Sequence, residues 1–176
     1  MNIKAGRNQN KMQSLNKQKG SFVIELAFVL MFLCLLTLFT ADIAMQLFTR
    51  AKLDRVSYSL VNVLKERTRF YDGNNTLTQD DYKQIYSIAG KLLPDTNYSV
   101  LINSTVPTEA IIPTVKSVAC SPVAINPNLI PISSLTGVKF PVYQVTVCTS
   151  FHSWFGKFTH GKTDFVIQST SVIPGR

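Results

Sequence analysis

Sixteen consecutive residues, Leu26 to Ala41, carry no charge, and with Phe22 to Ile24 the apolar stretch reaches about 20 residues. As an α-helix such a stretch is about 30 Å long, the thickness of a bilayer's hydrocarbon core. Few fates are open to it: it crosses a membrane as a helix, or it is removed as a secretory signal. Thr40-Ala41-Asp42-Ile43-Ala44 offers the small residues of a signal cleavage site. An ordinary signal has a shorter apolar region, however, and here the helical pattern runs straight through the site. The expectation is a single transmembrane helix over residues 21–48.

The flanks set its direction. Lys4, Arg7, Lys11, Lys17 and Lys19 lie in the first twenty residues, which contain no acid. Arg50, Lys52 and Arg55 follow the helix together with Asp42 and Asp54. The excess of basic residues before the helix predicts a cytoplasmic N-terminus and an extracytoplasmic C-terminal domain. The same count removes a nucleic-acid reading. The chain's net charge is +8, but outside that leader thirteen basic residues face ten acidic ones, and no basic stripe remains to follow a phosphate backbone.

Beyond the membrane the helical period persists. Leu53, Val56, Leu60, Val63, Leu64 and Phe70 recur at spacings of three and four, with charges between them. No Pro or Gly interrupts Ser21 to Asp72. One continuous stem, apolar all round and then amphipathic over 49–71, accounts for this; a membrane helix followed by a separate soluble helix predicts the same residues. Asp72-Gly73-Asn74-Asn75 should end it. Thr78 is placed to cap a second helix, with Asp80 and Asp81 in its first turn and Tyr82, Ile85, Ile88, Ala89 and Leu92 on its buried face.

After Pro94 the period changes to that of strands: 98–106, 143–149 and 165–172 are rich in β-branched and aromatic residues. Between them, residues 107–141 carry six prolines and read as loops and short edge pieces. The fold class is therefore α+β. A long N-terminal helix, half transmembrane and half amphipathic, packs on a small head domain over 72–176 with a second helix and an antiparallel sheet. Cys120 and Cys148 form an even pair beyond the membrane segment, where an oxidising compartment favours a disulfide over two free thiols. Cys34, inside the apolar run, has no evident partner.

Chemistry is scarce. His152 and His160 match no zinc spacing and read as turn or surface residues. Asp80 and Asp81 are adjacent on a helix and point in different directions, so helix-start charges explain them better than a carboxylate pair. No phosphate-binding glycine loop, nucleophile elbow or metalloprotease motif occurs. Neither an enzyme nor a cofactor is expected. Phe151, Trp154, Phe155 and Phe158 form an aromatic cluster read either as core at the end of a strand or as a surface patch.

One residue sets the apolar run apart from a plain anchor. Glu25 stands inside it, five residues after Gly20. A carboxylate there costs about 2–3 kcal/mol on insertion scales. Lying at the interface and reaching into the headgroups is one explanation. The order basic leader, Gly20, Ser21, Glu25, uncharged helix resembles the class III signal of the type IV filament superfamily. The resemblance implies cleavage after Gly20 by a prepilin peptidase, a new ammonium at Ser21, and pairing of Glu25 with a neighbour's terminal amine. With GSFVIELAFVLMF followed by a mid-sized domain, the chain is most similar to the TadE/TadF pseudopilins of the tight adherence (Tad/Flp) pilus system. Its size and cysteine pair incline toward TadF, although Leu26 stands where an aromatic is common. The implied role is a minor pilin-like assembly component in the bacterial inner membrane, possessing no small-molecule substrate. Its implied partners are the peptidase, other pilins and pseudopilins, and a secretion ATPase and platform; the implied process is pilus biogenesis, surface adherence and biofilm formation. The alternative is a single-pass, membrane-anchored periplasmic binding or sensing module, indifferent to Gly20 and Glu25.

Overall fold

A computed structural model describes residues 6–70, 77–94, 97–105, 110–111, 118–157 and 161–175. Helix α1 spans Gly6–Phe70 and α2 spans Gln79–Leu92. Strand β1 is Tyr98–Ser104, β2 Ala110–Ile111, β3 Val142–His152 and β4 Asp164–Pro174. The chain divides into two compact units, Met1–Ala44 and Met45–Arg176.

In the first unit the helix begins earlier than the sequence suggests. A helix from residue 21 was expected, whereas the backbone is already helical from Gly6 through Gly20. One interior glycine costs about 1 kcal/mol relative to alanine, and the Lys, Gln, Leu and Met residues around it are good helix formers. From Phe22 onward the side chains of this unit are almost all exposed, Phe22, Phe28, Met31 and Phe32 each by more than 60%. An apolar surface of this extent, with Glu25 the one charge between Phe22 and Ala41, needs a solvent other than water. The hydroxyls of Thr37 and Thr40 are satisfied without water: Thr37 Oγ1 donates to the Cys34 carbonyl at 2.8 Å and Thr40 Oγ1 to that of Thr37 at 2.9 Å.

The second unit is built on a four-stranded antiparallel sheet in the order β2-β1-β3-β4. All three strands anticipated from the sequence are present; β3 is longer than expected mainly toward the turn that leads to β4, and β4 mainly at its C-terminal end, to Pro174. The C-terminal half of α1 and all of α2 supply the core with Leu53, Val56, Leu60, Val61, Leu64, Tyr82, Ile85 and Ala89, against Val100, Ile102, Tyr143, Val145, Val147 and Ile167 of the sheet. The amphipathic stripe expected on α1 is borne out except at one flank. Val63 is 47% exposed and Val61 is buried in its stead. At about 100° per residue, Val63 falls roughly 90° from the middle of the Leu53–Leu60–Leu64 line, where the sheet no longer reaches it. Phe70's side chain and the expected helix stop at 72–75 lie outside the described residues.

On α2, Thr78 caps as expected, and a full capping box forms. The Thr78 N–H donates to Asp81 Oδ2 at 2.7 Å while the Asp81 N–H reaches Thr78 Oγ1 at 3.4 Å. Leu92, expected inside, is 40% exposed, and Leu93 is buried in its place because the chain leaves the helix there. Gly90 admits the Tyr98 ring: a β-carbon at 90 would stand 2.6 Å from the Tyr98 hydroxyl, which donates to the Tyr86 carbonyl at 3.2 Å.

Tyr82 heads a ladder of rings, 5.9 Å from Tyr86, which is in turn 4.9 Å from Tyr98. Its hydroxyl is buried without a hydrogen-bond partner among the described residues. Burial, reinforced by Tyr86 and Tyr98, pushes its pKa up to about 12. The native state therefore holds this proton more tightly than the unfolded chain, whose tyrosines titrate near 10. The contribution is complete below about pH 10 and is lost as pH rises through about 12. Tyr82→Phe removes an unsatisfied buried hydroxyl, so its stability at neutral pH should equal or exceed the parent's. Its decline in urea midpoint between about pH 10 and 12 should be shallower. A clear loss at neutral pH would mean that the hydroxyl has a partner.

Candidate assembly site

Gly20, Ser21 and Glu25 all lie on α1, with Ser21 and Glu25 about one turn apart. Glu25 is exposed, and exposed Phe22, Val23, Ile24, Leu26 and Phe28 surround it in sequence. Within the described residues it has no hydrogen bond or ion pair. This geometry presents an acceptor in an apolar belt to whatever lies alongside. A lone carboxylate is costly there, and a cation from a second chain would relieve the cost.

The head's construction explains the cysteine pair. One face of β3 meets the helices; its other face, Val142, Gln144, Thr146 and Cys148, is equally buried. The proline-rich segment does the covering. The Val118 N–H donates to Ser99 Oγ at 2.9 Å, the Ser121 N–H to Gln168 Oε1 at 3.3 Å, and Cys120 is disulfide-bonded to Cys148 with Cα atoms 5.8 Å apart. The expected bridge is thus present, and Cys34 is left as a free, exposed thiol. Past the bridge the segment turns out as a small hairpin closed by the Ile132–Lys139 pairing and Gly137 at φ +71°. Its Ile132, Leu135 and Val138 project outward, Leu135 by 95%.

Ser57 escaped the sequence reading. It is fully buried where α1 meets β4, and its hydroxyl lies 3.0 Å from Ser169 Oγ and 2.8 Å from Ser171 Oγ. Its place on the Leu53–Leu60 stripe, and the alternation of Ser169 with Ser171, were the available signals. Small hydroxyl residues let helix and strand approach closely and satisfy each other there.

The remaining polar candidates separate. Asp80 pairs with Lys83 at 3.0 Å on the surface, while Asp81 serves the cap, so the two carboxylates do not converge. His152 Nδ1 pairs with Asp164 at 2.8 Å across the last register position of β3 and β4. His160 lies outside the described residues. Among the described residues, no three His, Cys, Asp or Glu side chains gather where a metal could bind. The aromatic cluster divides. Phe151 packs against Phe165 with ring centres 5.4 Å apart, as the core reading expects, and Phe155 is half-buried. Trp154 is 74% exposed, which core packing did not anticipate. Phe158 lies outside the described residues.

Among the described residues one helix is long and apolar enough to cross a membrane, and with a small α+β head it makes the layout of a pilin-like membrane subunit. The family model TadF, described as "Putative tight adherence pilin protein F", matches residues 13–176, and the chain belongs to that family. It is accordingly a component of a tight adherence pilus system. No curated protein and no solved structure matches the chain.

Proposed function

We propose that the chain is a minor pilin-like subunit of a Tad/Flp pilus, made as a precursor and cut after Gly20 by a prepilin peptidase on the cytoplasmic side. Residues 1–20 are the leader, 21–48 the membrane span, 49–71 the continuing stem and 72–176 the extracytoplasmic head. The mature chain begins at Ser21, and Glu25 accepts a neighbouring subunit's terminal ammonium when a secretion ATPase and platform draw subunits together. The products of that assembly are a pilus, adherence and biofilm. The observation that carries the reading is Glu25, an exposed carboxylate without a partner among the described residues in a belt of exposed apolar side chains. A plain anchor has no use for it, since it only weakens insertion.

The N-terminus of the membrane-extracted protein is the direct test. Intact mass and N-terminal sequencing should give a chain starting at Ser21, and Gly20→Ala should leave the full precursor uncut. An intact Met1 start in a host with an active prepilin peptidase would leave a plain anchored module. A start near Asp42 would mean a secreted, unanchored domain.

A further inference from the structure

Strand β4 is an outer strand of the sheet, and its free edge is long and open. The Ser153 N–H donates to the Thr163 carbonyl at 2.8 Å, and the Gly175 N–H to that of Pro141 at 2.7 Å. Both pairs obey the unbroken register that joins β3 to β4, so the odd-numbered residues of β4 turn their backbone groups to β3. Val166, Gln168, Thr170 and Val172 turn theirs the other way. Among the described residues none of these four N–H and four C=O groups has a hydrogen-bond partner. Outer strands are ordinarily blunted by a charge, a proline or a bulge, because an unpaired ladder recruits other strands. Here Asp164 and Pro174 stand at the two ends, and Phe165 to Ile173 hold no charge, no proline and no bulge.

A cleft of about 420 Å³ lies along the first half of that edge. Residues 165–168 line it with Gln46, Leu47 and Arg50 of α1, all within the Met45–Arg176 unit. Successive residues of a strand point to opposite faces. Four in a row border one cavity only where it runs along the strand's side, and the side toward β3 is filled. Arg50 is the one charged residue of the lining, exposed and without an ion pair among the described residues. The acids nearby leave it uncompensated. Asp164 is held by His152 at 2.8 Å, and Asp54, one turn further along α1, forms no ion pair with Arg50.

We propose that the β4 edge is a strand-addition site. Its occupant is an extended segment of a neighbouring protein subunit, which hydrogen-bonds to Val166, Gln168, Thr170 and Val172, lodges an apolar side chain against Leu47 and sets a carboxylate on Arg50. Backbone pairing supplies attraction without regard to sequence; the cleft and its lone cation select an acidic residue beside an apolar one. The inference is independent of cleavage after Gly20, since edge, cleft and Arg50 all lie in the Met45–Arg176 unit.

The probe is a capped synthetic peptide of alternating valine and threonine with one glutamate, titrated onto the full chain in detergent. It should slow amide exchange within 164–174, where the outward N–H groups of the free protein exchange fast, and leave α2 unchanged. Arg50→Glu, or lysine in place of the peptide's glutamate, should weaken binding about tenfold, since an attraction becomes a repulsion. Val166→Pro deletes an outward N–H that β3 does not use, so it should weaken binding while keeping the parent's urea midpoint. Val172→Lys, which blocks the edge by charge and leaves the backbone alone, should do the same. Exchange in 164–174 unaltered at millimolar peptide, or slowed equally in both edge variants, overturns the proposal. Binding that Arg50→Glu leaves intact overturns the acidic partner. Protection of the segment that rises with protein concentration in the absence of peptide assigns the edge to a second copy of this chain, and overturns it as well.

Discussion

Glu25→Leu should insert into the membrane at least as well as the parent, be cut after Gly20, and fail to associate with its neighbours. Removing the carboxylate relieves about 2–3 kcal/mol of insertion cost, so membrane yield should not fall. In an assembled bundle the same change leaves a terminal ammonium buried without its counter-charge, a loss of about 3–5 kcal/mol. That corresponds to roughly two to three and a half orders of magnitude in association. Two differently tagged full-length copies, co-purified from membranes or cross-linked there, read the effect, and Glu25→Asp should recover part of it. Undiminished association of Glu25→Leu would show that the carboxylate has no such partner, and would return the chain to the anchored-module reading.

Replacing both Cys120 and Cys148 with serine should cost about 3–4 kcal/mol, the chain-entropy value for a loop of this length. The bridge closes a separation of 28 residues. A domain of this size has only about 5–15 kcal/mol of stability in total, so the loss is a large fraction of it. The covering segment would then be held by isolated contacts such as the Val118–Ser99 and Ser121–Gln168 hydrogen bonds. The unfolding midpoint of the full chain in detergent should drop, and protease should cut first within residues 121–140. Reductant should bring the parent to the variant's midpoint and leave the variant where it is. Equal midpoints for parent and variant under oxidising conditions would mean that the bridge only decorates a segment already fixed by its other contacts.

Both predictions draw on features that were visible along the chain before any tertiary contact was known. An uncharged run of membrane length, a carboxylate within it and a basic leader are properties of consecutive residues, and so is the helical stripe that continues beyond them. Thr78 with Asp81 three residues on is equally local, and the capping box formed as its spacing requires. The three principal strands were legible for the same reason, since their β-branched and aromatic runs need no partner to be recognised.

What could not be read was which surfaces meet. Val61 and Val63 are the same residue type two positions apart, and only the sheet's reach buries one and exposes the other. The alternation of Gln144, Thr146 and Cys148 on β3 suggests a wet face, yet a proline-rich segment closes over it. Ser57 becomes a structural hydroxyl only because β4 offers Ser169 and Ser171 more than a hundred residues later. Trp154 follows the same rule: its aromatic cluster matched core and surface alike, and in the fold Phe151 packs on Phe165 while Trp154 is 74% exposed. Membrane span, carboxylate and cap are decided within a turn or two of chain, where covalent neighbours set the energy. Burial of an individual side chain is decided by surfaces distant in sequence, and those exist only once the sheet and helices have packed.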